Sequence, residues 1–161
     1  MTAAEFVYTT YIKTTPQKLW DAITNPEFTR QYWGVELVTD WKKGSPWQSV
    51  SSDDTRRVSV TGEILEAMPP RRLVMSWSNF AEPGAPSYSR VTFEIDPIED
   101  MVRLNVIHDD LGAGTETARR VAIGWPRVLS SMKSLLETGN ALNTWAGDPG
   151  CAGTRKTEAA A

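Results

Sequence analysis

Val121-Ala122-Ile123-Gly124-Trp125-Pro126-Arg127-Val128-Leu129-Ser130-Ser131-Met132-Lys133-Ser134-Leu135-Leu136 is the stretch on which the fold turns. Val121, Trp125, Val128, Leu129, Met132, Leu135 and Leu136 recur with a period of about 3.6, one apolar stripe along a helix. The spacing predicts a long helix over Thr117 to Thr138, with Gly139 as its stop. Pro126 lies inside and deprives the Ala122 carbonyl of its usual donor, so a kink or a separate first turn is expected there. A single long amphipathic helix at the end of a chain needs a partner surface to cover its stripe.

That surface comes earlier. From Val35 to Asp109 the period is two: Val58, Val60, Gly62 and Ile64 share a parity, as do Leu73, Met75 and Trp77, then Val91, Phe93 and Ile95, then Val102, Leu104, Val106 and His108. Turn signals separate these strands at Pro69-Pro70-Arg71-Arg72, at Glu82-Pro83-Gly84-Ala85-Pro86 and at Ile98-Glu99-Asp100. Val35 to Thr39 and Trp47 to Ser52 add two further strands, and Phe6 to Lys13 a first one. Thr15-Pro16 and Asn25-Pro26 are helix starts, a capping side chain followed by a residue that needs no donor. Two short helices therefore follow the first strand, the second stopped by Gly34.

The layout is α+β: a curved antiparallel sheet of about seven strands wrapped on the C-terminal helix. Such a sheet and one helix do not fill all the volume between them, which makes a cavity a common result. Residues 1–139 are read as one domain, in keeping with the chain's 161 residues. Residues 140–161, dominated by Ala, Gly, Thr and charge with only Leu142 and Trp145 as anchors, are expected to be mostly disordered.

Composition narrows the chemistry. Seventeen basic against twenty acidic residues, net charge -3, argue against affinity built on phosphate neutralisation, so no nucleic acid is expected as a partner. One histidine and one cysteine cannot form a structural zinc site of four cysteines or of two cysteines and two histidines, a His-Glu-x-x-His helix, or an internal disulfide. Phosphate-loop and nucleophile-elbow patterns are missing, and Gly112-Ala113-Gly114 lacks the third glycine of a dinucleotide fingerprint. No metal or cofactor is implied. With neither a leader-like start nor a run of eighteen apolar residues, a cytoplasmic chain without a membrane span is expected.

Thr15-Pro16-Gln17-Lys18-Leu19-Trp20-Asp21-Ala22-Ile23-Thr24-Asn25-Pro26, Tyr32-Trp33-Gly34, Gly62-Glu63-Ile64 leading into Pro69-Pro70-Arg71-Arg72-Leu73, and Gly124-Trp125 occur in this order. Together they resemble the helix-grip (SRPBCC, START-like) superfamily of the birch-pollen allergen, START lipid-transfer domains and polyketide cyclases. Within it the chain is similar to the group named after the activator of the heat-shock-protein-90 ATPase. The resemblance implies the helix-grip fold, but its members include carriers, cyclases, hydrolases, resistance proteins and co-chaperones.

Seven tryptophans must find core space or a ligand. Strand parity sets Met75, Trp77, Phe93, Leu104, Val106 and His108 toward the helix, and the stripe adds Trp125, Leu129 and Met132. Tyr88 is included for its place beside the Pro/Gly loop, and Trp33, with Trp47, as a gate. These residues would bind a lipid, polyketide or aromatic molecule; the plainer alternative is a packed core. His108 is the one catalytic candidate, with Tyr88 and Glu63 as further acids or bases, or else a core residue satisfied locally. Asp109, of opposite parity, cannot orient it. Arg56-Arg57, Arg71-Arg72 and Arg119-Arg120 read as solvated or ion-paired, and Cys151 as an incidental thiol. The expected function is binding or transport of a small hydrophobic ligand, a second copy of the chain being a further partner in view. The alternatives are a cyclase or hydrolase acting on such a ligand, and a chaperone-ATPase interaction protein. The last of these would call for an additional N-terminal domain.

Overall fold

The computed structural model describes residues 5–79, 88–111 and 115–142. The 82–86 loop, the 112–114 glycine run and the tail from 143, with Trp145 and Cys151, lie outside the described residues. The elements are β1 (Phe6–Ile12), α1 (Pro16–Thr24), α2 (Pro26–Tyr32), β2 (Val35–Val38), β3 (Pro46–Ser51), β4 (Val58–Met68), β5 (Arg72–Asn79), β6 (Ser89–Ile98), β7 (Met101–Asp109) and α3 (Glu116–Thr138). All seven strands form one antiparallel sheet in the order β1-β7-β6-β5-β4-β3-β2, a meander whose last strand is joined by the first.

The helix ends follow from the side chains that were expected to make them. The Thr15 hydroxyl accepts the Lys18 amide at 3.2 Å and the Asn25 side chain accepts that of Glu27 at 2.9 Å. Gly34 and Gly139 adopt the left-handed conformation at φ +79° and +88°. The cap of α3 is Thr115, accepting the Ala118 amide at 3.1 Å, so the helix starts one residue before the predicted Thr117. Pro126 leaves α3 a single helix from Glu116 to Thr138. The carbonyl it orphans belongs to Ala122, which is exposed, and water can satisfy it there.

Alternation holds along the central strands. In β7 the even residues Val102, Leu104, Val106 and His108 are all fully buried while the odd ones are partly exposed. β4 breaks the pattern with a bulge between Ile64 and Glu66, where Leu65 is the extra residue. Ala67, rather than Glu66, then rejoins the inner face opposite Leu73. The core lies between this inner face and the stripe of α3, and α1 and α2 contribute Leu19, Trp20, Ile23, Tyr32 and Trp33 to it.

Candidate functional site: an aromatic cluster at one end of the sheet

Strand register sets the site. Trp77 of β5 stands opposite Ser89 of β6, and Val91 of β6 opposite His108 of β7, which in turn faces Phe6 of β1. Trp77, Ser89 and His108 therefore share the inner face, at the end of the sheet where β7 leads into α3. Trp125 of α3 descends onto them. Its ring centroid is 5.6 Å from that of Trp77, 5.8 Å from Phe93 and 5.6 Å from Trp33 at the end of α2. Trp47 extends the cluster, 5.6 Å from Trp77. Tilted and edge-on contacts of this kind place ring edges against ring faces, the favourable arrangement for aromatic quadrupoles.

His108 is fully buried within this cluster, and both its nitrogens are engaged. Trp125 Nε1 donates to His108 Nδ1 at 3.1 Å. An indole N–H is only a donor, so Nδ1 must be the unprotonated nitrogen and Nε2 carries the hydrogen of the neutral ring. Nε2 lies 2.8 Å from Ser89 Oγ, to which it therefore donates, and Ser89 Oγ donates to the Trp77 carbonyl at 3.2 Å. The result is an uncharged chain of donors and acceptors running from indole to backbone, in which every hydrogen is donated and both imidazole nitrogens are used. Burial pushes the His108 pKa down to about 3, the nearby Asp109 charge offsetting this only in part.

This polarity bears on the hydrolase alternative. A serine made nucleophilic by histidine needs an unprotonated nitrogen facing its hydroxyl, with an acceptor orienting the other nitrogen. Here the orienting group is itself a donor, and Nε2 arrives at Ser89 already protonated. His108 cannot take the Ser89 proton in this arrangement.

Two glycines shape the surroundings in opposite ways. Gly62 lies opposite Trp47 in the β3–β4 register, and the Trp47 indole crosses it to donate to the Ser76 carbonyl at 2.9 Å. A Cβ on Gly62 would sit 1.9 Å from that oxygen and 2.5 Å from the indole nitrogen, so this close approach requires glycine. Gly124, beside Trp125, is buried, yet a Cβ there would meet no heavy atom of the described residues within 4 Å. Thr29 of α2 is also fully buried, and its hydroxyl has no hydrogen-bond partner.

The structure brings together Trp33, Trp77, Phe93, His108 and Trp125 of the predicted residues. Met75, Leu104, Val106, Leu129 and Met132 are all buried in the same core. Tyr88 departs from its expected place: it is 52% exposed, because Ser89 has the inward parity and the residue before it does not. Glu63 likewise is exposed between the inward Gly62 and Ile64. Trp47 proves to be a core residue, 1% exposed, rather than a gate. Ser89 was missed, although extending the parity of Val91 and Phe93 back by two residues reaches it. The burial of Thr29 leaves no such signal, since it depends on how α2 packs against the rest of the core.

The opposite face of the sheet carries an open depression of about 440 Å3, among Leu65, Glu66, Arg72, Val74, Arg90, Thr92, Glu94, Ile107 and Asp109. Its charged groups are ion-paired: Arg72 with Glu94 at 2.8 Å and with Glu66 at 3.3 Å, and Arg90 with Asp109 at 2.6 Å. The basic pairs read from the sequence behave similarly, Arg56 bonding Glu36, and Arg119 with Arg120 bonding Glu116. Among the described residues no cluster of His, Cys, Asp and Glu could hold a metal ion, and no helix is long and apolar enough to cross a membrane.

Among solved structures the chain is similar to the Aha1 dimer from Colwellia psychrerythraea, with TM-score 0.71 and 16% identity over 84% of this chain and 98% of that one. It is similar to CalU16 from Micromonospora echinospora, with TM-score 0.63 and 23% identity over 79% of this chain and 72% of that one. It is also similar to an HSP90 activator from Plasmodium falciparum, with TM-score 0.67 and 24% identity over 82% and 95%. At such identities the likeness is one of fold. No match is found among curated proteins. The family described as Activator of Hsp90 ATPase homolog 1-like protein matches residues 13–137, the span that holds both short helices, all strands after the first and nearly all of α3, and the chain belongs to that family.

Proposed function

We propose that the protein binds and carries a small hydrophobic molecule between the inner face of its sheet and α3. The observation that carries this reading is the gathering of Trp33, Trp77 and Phe93 around Trp125, an uncharged aromatic surface between the inner face of the sheet and α3. A guest there would bury its apolar surface at about 25 cal/mol per Å2, against rings that are already rigid and so lose little entropy on binding. The saturated hydrogen-bond chain through His108 favours carriage over catalysis, since it fixes Trp125 and leaves the imidazole no free valence.

Native mass spectrometry and a thermal-shift screen against fatty acids, polyketides and aromatic compounds test the reading. Retained mass and a raised Tm are expected for at least one class. Trp125→Ala should weaken binding by tenfold or more, roughly the 1.4 kcal/mol or greater that a lost aromatic wall removes. Unchanged affinity in that variant would remove Trp125 from the site, and no binding by any class would overturn the reading.

A further inference from the structure

We propose that the outer face of the sheet is a self-association surface, on which a second copy of this chain packs about a two-fold axis and sets Arg90 of each copy against Glu94 of the other. Register aligns Val7 of β1, Ile107 of β7, Thr92 of β6 and Val74 of β5 in one row across that face, and the bulge residue Leu65 of β4 ends it. From Leu65 to Ile107 the row floors the open depression. Of the eight exposed large hydrophobic residues of the described chain, four, Val7, Tyr11, Leu65 and Met68, lie on this face. The helices contribute to the core on the opposite, inner side. An uncovered apolar row rimmed by charge marks an association surface.

Charge decides both the occupant and the axis. One register step along the strands the row is flanked by Arg90 and Asp109, and one step the other way by Arg72, Glu94 and Asn105. Rotation about the row itself brings each apolar residue onto its own copy across all five strands. It lays Arg90 over Glu94 of the other copy, Asp109 over Asn105 and Arg72 over Ser76, so no like charges stand directly opposite. A two-fold along β6 would use the same width but set Arg90 on Arg90 and Glu94 on Glu94. One between β6 and β7 would leave Leu65 with nothing opposite. Sheets packed with aligned strands lie about 10 Å apart, a gap that arginine and glutamate arms from both sides can span. Five strands at about 4.8 Å and three rows at about 6.8 Å offer roughly 500 Å2 of each copy, less than the ~800 Å2 per partner of stable complexes. The dimer is therefore weak, with Kd on the order of 0.1 mM, and the monomer prevails at micromolar concentration.

Sedimentation equilibrium of the wild type, of Arg90→Glu, of Glu94→Arg and of an equimolar mixture of the two variants, from about 5 µM to about 1 mM, tests this. The wild-type mass should rise from one chain toward two. Each variant alone should associate at least tenfold more weakly, because like charges then face each other across the axis. Mixed, the two should pair with about the wild-type affinity, since one contact is reversed and the other native. Residues 90 and 94 lie two register steps apart within one chain, so only a contact between copies can restore association by mixing. Ile107→Lys should abolish association. A wild-type mass that stays at one chain, single variants that associate as the wild type does, a mixture no heavier than its components, or an Ile107→Lys protein that still dimerises would overturn the proposal.

Discussion

The two faces of strands β5, β6 and β7 solve the same problem differently. On the inner face, Trp77, Ser89 and His108, with Trp125 above them, place neutral donors and acceptors in series, each group used once. On the outer face, Arg72, Arg90 and Arg103 meet Glu94, Asp109 and Asp96 as ion pairs at 2.6 to 3.3 Å, all of them partly exposed. Water can replace a lost partner outside but not inside. Inner polar groups must therefore be matched one by one and cannot be charged, whereas outer ones can be exchanged at little cost. The contrast makes stability depend steeply on a few interior atoms and weakly on many exterior charges.

The largest effect is expected where the inner face has no slack. Gly62→Ala forces a Cβ to within 1.9 Å of the Ser76 carbonyl, a backbone atom that cannot step aside without moving β5. A loss of about 3 kcal/mol or more is expected by urea denaturation, with the Trp47 environment altered in its fluorescence. An unchanged midpoint would mean that the strands are farther apart than the Trp47 bond requires.

Acid should expose the second weakness of the inner face. Because the folded pKa of His108 is held near 3, below its ordinary value of 6.5, the unfolded chain binds the proton more readily. The stability that neutral His108 contributes is thus intact above pH 6.5 and lost as pH falls toward 3. Between pH 6.5 and 4.5 the wild type should lose about 2 to 3 kcal/mol more than His108→Phe, which has nothing to protonate there. Parallel curves for the two proteins would show that the ring is already reached by water. Ser89→Ala comes next: it strands Nε2–H in the core and should cost about 1.5 kcal/mol in the same denaturation assay, with no effect expected from an equivalent truncation on the outer face.

How much of this contrast is legible in the sequence depends on the distance between the residues involved. Parity assigned Trp77, Phe93 and His108 to one face and Asp109 to the other, since side chains alternate along any one strand regardless of what lies across it. The same rule excludes Tyr88, which was placed by its neighbouring loop instead. The α3 stripe placed Trp125 against the sheet, because burying a stripe is a property of one helix. What parity cannot supply is the relation between elements. The His108 tautomer depends on where an indole seventeen residues later arrives, the need for glycine at 62 on an indole from the neighbouring strand β3, and the unpartnered Thr29 hydroxyl on the packing around α2. The bulge at Leu65 escaped for a related reason: the inward residues up to Ile64 keep one parity, and the shift shows only in the pairing with β5.

The smallest effect should come from the outer face. Arg72 bonds both Glu94 and Glu66, but its side chain is 40% exposed and its partners 38% and 36%, so water and salt already compete for every charge. Arg72→Met keeps most of the aliphatic stem over Val74 and removes the guanidinium, leaving two carboxylates that solvent can hydrate. The expected loss is below about 1 kcal/mol, and it should shrink further in 0.5 M salt as the Debye length falls to a few Å. Should the variant instead lose as much as Ser89→Ala and keep that loss in salt, the Arg72 network would be acting as a desolvated cluster. The outer depression would then be closed to water in the folded protein, and the distinction between the two faces would rest on charge alone.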